Sequence, residues 1–117
     1  MIAISEGTAL GERLGIDPKK LQEILSKATA SCWANNVGNP RPGVLENSPS
    51  SRNYDGGFQT QLMRKDLTLA LECFEAVDLN CDFTKAAQDY YRIIEKAGHG
   101  GKDFGYVFQY IMKDKKI

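Results

Sequence analysis

The chain has 117 residues, 42% of them apolar and 26% charged, and its formal net charge is +0. That length carries one domain, and the composition is that of a folded globular protein rather than a disordered chain. No apolar run approaches the roughly 20 residues of a membrane span. A neutral chain also lacks the basic footprint expected of nucleic-acid or anionic-membrane partners, so neither is expected.

In chain order, the first predicted helix covers roughly 1–14. Ala3, Gly7 and Gly11 recur every fourth residue and share a face that a neighbouring helix could approach closely. Gly15 supplies a stop. Met1-Ile2-Ala3-Ile4 opens on apolar residues without a cap, as expected of a helix cut in mid-course. Asp17-Pro18 then reads as the N-cap and first residue of a second helix, whose stripe is Leu21, Ile24, Leu25 and Ala28. A short helix follows over 31–35. Residues 36–57 are dense in Asn, Gly and Pro and predict a long ordered loop anchored by Val44, Leu45 and Tyr54.

The longest predicted helix spans roughly 59–78. Met63, Leu67, Ala70, Phe74 and Val77 make one apolar line, and Phe58, Leu62, Lys65 and Leu69 make a second. Gln61, Arg64, Thr68 and Glu75 form its polar strip. A helix apolar on most sides is expected to be covered and central. Lys65, by spacing alone, reads as a Lys with its stem on Leu62 and Leu69 and its ammonium in water. A fifth helix is capped by Asp82, puts Phe83, Ala86, Ala87, Tyr90, Ile94 and Ala97 on one face, and ends at Gly98. A sixth runs from Lys102 or Asp103 to Met112, with Phe104, Val107, Phe108 and Ile111 inward and Lys113, Lys115 and Lys116 at its basic end. No strand pattern persists. The fold class is all-α, a single domain of five to six helices around a long central one.

No self-sufficient active site is visible. Cys32, Cys73 and Cys81 are too widely spaced for a metal site and read as reduced, partly buried structural thiols of an intracellular protein. No metal ligands are therefore assigned. His99 lies in Gly98-His99-Gly100-Gly101, which reads as an exposed loop without the preceding strand that a phosphate-binding loop requires. No leader sequence is recognisable at the N-terminus.

The residue strings go further. Leu10-Gly11-Glu12-Arg13-Leu14-Gly15-Ile16-Asp17-Pro18, Cys32-Trp33, Asn39-Pro40-Arg41-Pro42-Gly43-Val44, Tyr54-Asp55-Gly56-Gly57-Phe58 and Leu62-Met63-Arg64-Lys65-Asp66-Leu67 occur in one order, and Lys102-Asp103-Phe104 with Val107-Phe108-Gln109 closes the series. Together they resemble the C-terminal helical domain of the 3-hydroxyisobutyrate dehydrogenases, of the beta-hydroxyacid dehydrogenase family. That resemblance implies a single helical domain over 1–117, with an N-terminal Rossmann domain outside this chain. It implies NAD as cofactor and a small 3-hydroxy acid as substrate, oxidised to methylmalonate semialdehyde in valine catabolism. It also implies homo-oligomers and, for the family, the mitochondrial matrix.

By the same resemblance Lys65 matches a lysine that contacts the nicotinamide cofactor, and Phe58 an aromatic near the cleft. Asp66 orients Lys65 or its helix, while Trp33 and Tyr54 are either cleft walls or core. The family's catalytic lysine and asparagine match nothing here, so no catalytic residue is assigned and the chain alone is expected to be inert. Two alternatives stay open: a free-standing helical interaction domain, and a related dehydrogenase acting on tartronate semialdehyde or 4-hydroxybutyrate.

Overall fold

The computed structural model describes residues 1–113. The basic tail positions Lys115 and Lys116 lie outside the described residues. The helices are α1 (Ile2–Arg13), α2 (Pro18–Ser26), α3 (Trp33–Asn36), α4 (Thr60–Ala76), α5 (Asp82–Ile94) and α6 (Val107–Met112). A 3-10 turn, Pro49–Arg52, sits inside the long loop, and a second, Phe104–Tyr106, leads into α6. No strand occurs among the described residues, and the all-α class stands as expected.

Local chemistry explains most boundaries. Asp17 accepts the Lys20 N–H at 2.9 Å, and Pro18 fills the first helical position, where a missing N–H costs nothing. At α5 the boundary differs by one residue: Asp82 is the first helical residue and Cys81 occupies the cap position. The other end of α5 departs further. Its last regular residue is Ile94, and the chain runs into a π turn, Glu95–His99, in which Gly98 adopts φ +89°. A Cβ would strain that backbone, so glycine stops the helix there.

The small-residue face of α1 serves a single contact. A Cβ on Gly11 would lie 2.5 Å from Leu21 Cδ2, so the absent side chain lets α2 close in. Nothing lies within 4 Å of such an atom on Gly7, and Ala3 is exposed. Three such residues at a spacing of four span more than two turns, and α2 crosses only one of them.

The core comprises buried Tyr91 and Ile94 from α5 and Val107 from α6, with Met63, Leu67, Phe104, Tyr110 and Ile111 packed around it. The expectation of a covered α4 does not hold within this chain: only its Thr60 is buried. The polar strip of α4 turns toward its neighbours, where Arg64 pairs with Glu95 and Thr68 accepts from Gln88 at 3.1 Å. The line Leu62, Lys65, Leu69 is thereby left open, since the apolar period of a helix reports faces and not what covers them. Phe83, expected inward, is 95% exposed, because the core meets α5 near Tyr91 and Ile94 and leaves its first turn bare.

Candidate cofactor-contact site

The open side of α4 carries Leu62, Lys65 and Leu69, and Phe58 stands just before the helix. The Lys65 side chain is 57% exposed, and its Nζ lies 2.9 Å from Asp66 Oδ1. Asp66 is thus the ammonium's ion-pair neighbour at the surface. Phe58 packs edge-on to Phe104, with ring centroids 6.0 Å apart. Trp33 stacks on the same Phe104 at 6.2 Å while remaining 56% exposed. Phe58, Phe104 and Trp33 therefore form an aromatic shelf, and Tyr91 supports Phe104 from below. Beside it, an open apolar groove of about 320 Å³ runs between the start of α1, Met63 and Leu67 of α4, and Tyr91.

Behind Phe58 the structure is dense with satisfied polar groups. Asp103, only 4% exposed, accepts the Phe58 N–H through Oδ2 at 2.9 Å and the Gly105 N–H through Oδ1 at 2.8 Å. The Phe104 N–H donates to the Phe58 carbonyl at 2.7 Å, and the Asp103 N–H donates to the Tyr54 carbonyl at 2.9 Å. No side chain caps α4. Instead Thr60 and Gln61 N–H groups donate to the Lys102 and Gly100 carbonyls at 2.8 and 3.0 Å, so a distant segment caps the helix. Burial raises the pKa of Asp103 against the opposing pull of its two backbone N–H donors and of nearby Arg52.

Tyr54 is an anchor, as expected, and a buried one rather than a cleft wall. Its hydroxyl donates to the Pro40 carbonyl at 2.7 Å and accepts from Gln109 at 3.1 Å. Burial pushes its pKa up to about 12. Val44 and Leu45 are only half-buried. The loop is tied instead by polar side chains. Ser48 and Ser50 both donate to the Asn39 carbonyl, at 2.6 and 2.7 Å, and Arg41 grips Glu12 of α1 with two bonds of 3.1 and 2.9 Å. That grip holds the Glu12 carboxyl below its usual range.

Other expectations are corrected. His99 is half-buried and stacks on Tyr106 with centroids 4.4 Å apart, instead of standing in an open loop. Cys32 and Cys73 are exposed, and only Cys81 is partly covered, all three being free thiols. No group of three or more His, Cys, Asp or Glu that could hold a metal occurs among the described residues, and no described helix is long and apolar enough to cross a membrane.

The open stripe offers one ammonium, paired with Asp66, next to the partly exposed side chains of Leu62 and Leu69. The family model described as "NAD-binding of NADP-dependent 3-hydroxyisobutyrate dehydrogenase" matches residues 1–111. The chain belongs to this family. It is 41% identical over 115 residues to the mitochondrial 3-hydroxyisobutyrate dehydrogenase of Rattus norvegicus, covering 98% of this chain and 34% of that protein. An NAD-dependent L-serine dehydrogenase of Pseudomonas aeruginosa is 43% identical over 107 residues, covering 92% and 36%. The solved structure of Mycobacterium tuberculosis 3-hydroxyisobutyrate dehydrogenase with L-serine superposes with a TM-score of 0.89 at 34% identity, covering 94% of this chain and 38% of that one. The chain thus spans about a third of the length of the curated relatives it matches. NAD, the expected cofactor, is named in the family's description as what the domain binds, in an enzyme that description calls NADP-dependent, and the L-serine dehydrogenase relative is named NAD-dependent.

Proposed function

We propose that this chain is the C-terminal helical domain of an NAD-dependent 3-hydroxyisobutyrate dehydrogenase, working with a Rossmann domain encoded elsewhere in the same protein. It closes one side of the cleft between the two. The observation that carries the reading is the open face of α4, where Lys65 pairs with Asp66 at the surface of a chain matched by the family model over 1–111. In that role Lys65 donates to the cofactor's phosphate or hydroxyls, and Phe58 with Leu62 excludes water from one edge of its ring. NAD, when bound, accepts a hydride from the hydroxy acid. By the family resemblance the catalytic base lies outside these residues, so in this reading proton removal falls to the rest of the protein and this chain alone is inert.

The parent reaction, 3-hydroxyisobutyrate to methylmalonate semialdehyde, belongs to valine catabolism. The relatives named as mitochondrial favour the matrix as its site in a eukaryotic host. Exposed Val77 and Phe83 near the α4–α5 connection favour homo-oligomers, since open apolar surface drives association. A second reading, L-serine as substrate, rests on the serine-oxidising relative at 43% identity.

The test is reduction of NAD and of NADP by the complete protein with 3-hydroxyisobutyrate and with L-serine. A preference for 3-hydroxyisobutyrate with NAD is expected. A preference for L-serine selects the second reading, and no nucleotide reduction with either rejects both.

A further inference from the structure

Phe58 is held by its backbone as well as by the edge contact of its ring with Phe104. Its N–H ends on Asp103 Oδ2 at 2.9 Å, and its carbonyl receives the Phe104 N–H at 2.7 Å. The carboxylate that takes the first of these bonds is buried and takes a second from Gly105, so its two oxygens bridge residues 58 and 105. The approach is so close that a Cβ on Gly57 would lie 2.4 Å from Asp103 Oδ2, and Gly57 itself adopts φ +80°. Directly after Phe58, the first N–H groups of α4 end on the Lys102 and Gly100 carbonyls. One short segment, 100–105, therefore sets both the seat of Phe58 and the start of the helix that bears Lys65.

We propose that Asp103 is a positioning residue for the dehydrogenase reaction, acting through Phe58 to fix the cofactor-facing edge of this domain. This rests on the dehydrogenase reading above. A carboxylate suits the place because it offers an acceptor on each side and no donor that would have to be satisfied in the interior. Asp103→Asn keeps one acceptor and turns an N–H toward one of the two backbone donors, so one of the two bonds is lost and the Phe58 backbone loosens. Oriented groups lose much of their effect when displaced by as little as about 1 Å.

The experiment uses the complete protein, well below its melting temperature. Asp103→Asn, Phe58→Ala and the double variant are compared with wild type for NAD affinity, KM for NAD, kcat, and amide hydrogen exchange at Phe58. The expected result is a loss of tenfold or more in kcat/KM for Asp103→Asn with faster exchange at Phe58, and little further loss when the substitution is added to Phe58→Ala. A folded Asp103→Asn protein with wild-type kcat/KM overturns the proposal, as does a loss that simply multiplies with that of Phe58→Ala. The two readings fail distinguishably. An active wild type with an unaffected variant removes the clamp alone, whereas a wild type that neither binds NAD nor reduces it removes the dehydrogenase reading together with the clamp.

Discussion

On one side of Phe58, the segments 39–57 and 100–109 bury Asn39, Ser48, Ser50 and Asp103 and give each of them protein partners. On the other side, α4 leaves Lys65 half in solvent beside the Asp66 carboxylate, and Leu62 and Leu69 about half exposed. Removing one partner inside the first region strands a buried polar group, at about 1–3 kcal/mol. The exposed ion pair of the second is worth about 0–1 kcal/mol. The region that holds the domain together and the region free to meet another molecule thus lie back to back. Mutations should separate them: large stability effects on the clamp side and small ones on the open side.

The hardest blow to that division falls at Gly57. Gly57→Ala forces a side chain into φ +80° and against both Asp103 and Pro49. Left-handed strain of about 1–2 kcal/mol and overpacking of about 1–3 kcal/mol add in the same direction. Denaturant unfolding should show a loss of about 2–5 kcal/mol, and a loss below about 1 kcal/mol would mean the clamp is slack.

Tyr54→Phe is the next largest. It leaves the Pro40 carbonyl and the Gln109 amide without their partner, and unfolding should register a loss of about 1–3 kcal/mol. The same residue predicts a pH dependence. Its folded pKa of about 12 lies above the ordinary 10.0, so its stabilising contribution is complete below pH 10 and is lost as pH rises through about 12. Melts between pH 10 and 12 should fall less steeply for Tyr54→Phe than for wild type. Parallel curves would place the alkaline sensitivity elsewhere, in Tyr91, for instance, whose pKa burial also raises.

These two positions also show what the sequence could reveal. Helix existence was legible from periodicity, and the start of α2 from Asp17-Pro18, because those signals are local. The bond between Phe58 and Asp103 joins residues 45 apart, and no local pattern announces it. The serine ties on Asn39 were hidden for a related reason: loop serines read as turn formers until their acceptors are known. The covering of α4 is not legible in its periodicity, because Arg64 and Thr68 of its polar strip bind Glu95 and Gln88 instead of water. Lys65 became a candidate only through family resemblance; its spacing alone described a surface lysine, and its exposure agrees equally with that description.

Smaller effects belong to the open side. Phe58→Ala removes a partly exposed ring whose edge contact with Phe104 is worth about 0.5–1.5 kcal/mol beyond its burial, so thermal melts should shift only modestly. Lys65→Ala should change stability least, by less than about 0.5 kcal/mol, since it removes one exposed ion pair. A stability loss at Lys65 as large as that at Tyr54 would erase the distinction between the two regions.

The most direct test is a titration of NAD against the complete wild-type protein and its Lys65→Ala variant, each shown by a melt to be equally folded. A charge-assisted hydrogen bond is worth roughly 1.5–3 kcal/mol, and 1.4 kcal/mol is about tenfold in affinity, so the variant should bind NAD about ten- to a hundredfold more weakly. Equal affinities would contradict the assignment of the open face of α4 to the cofactor.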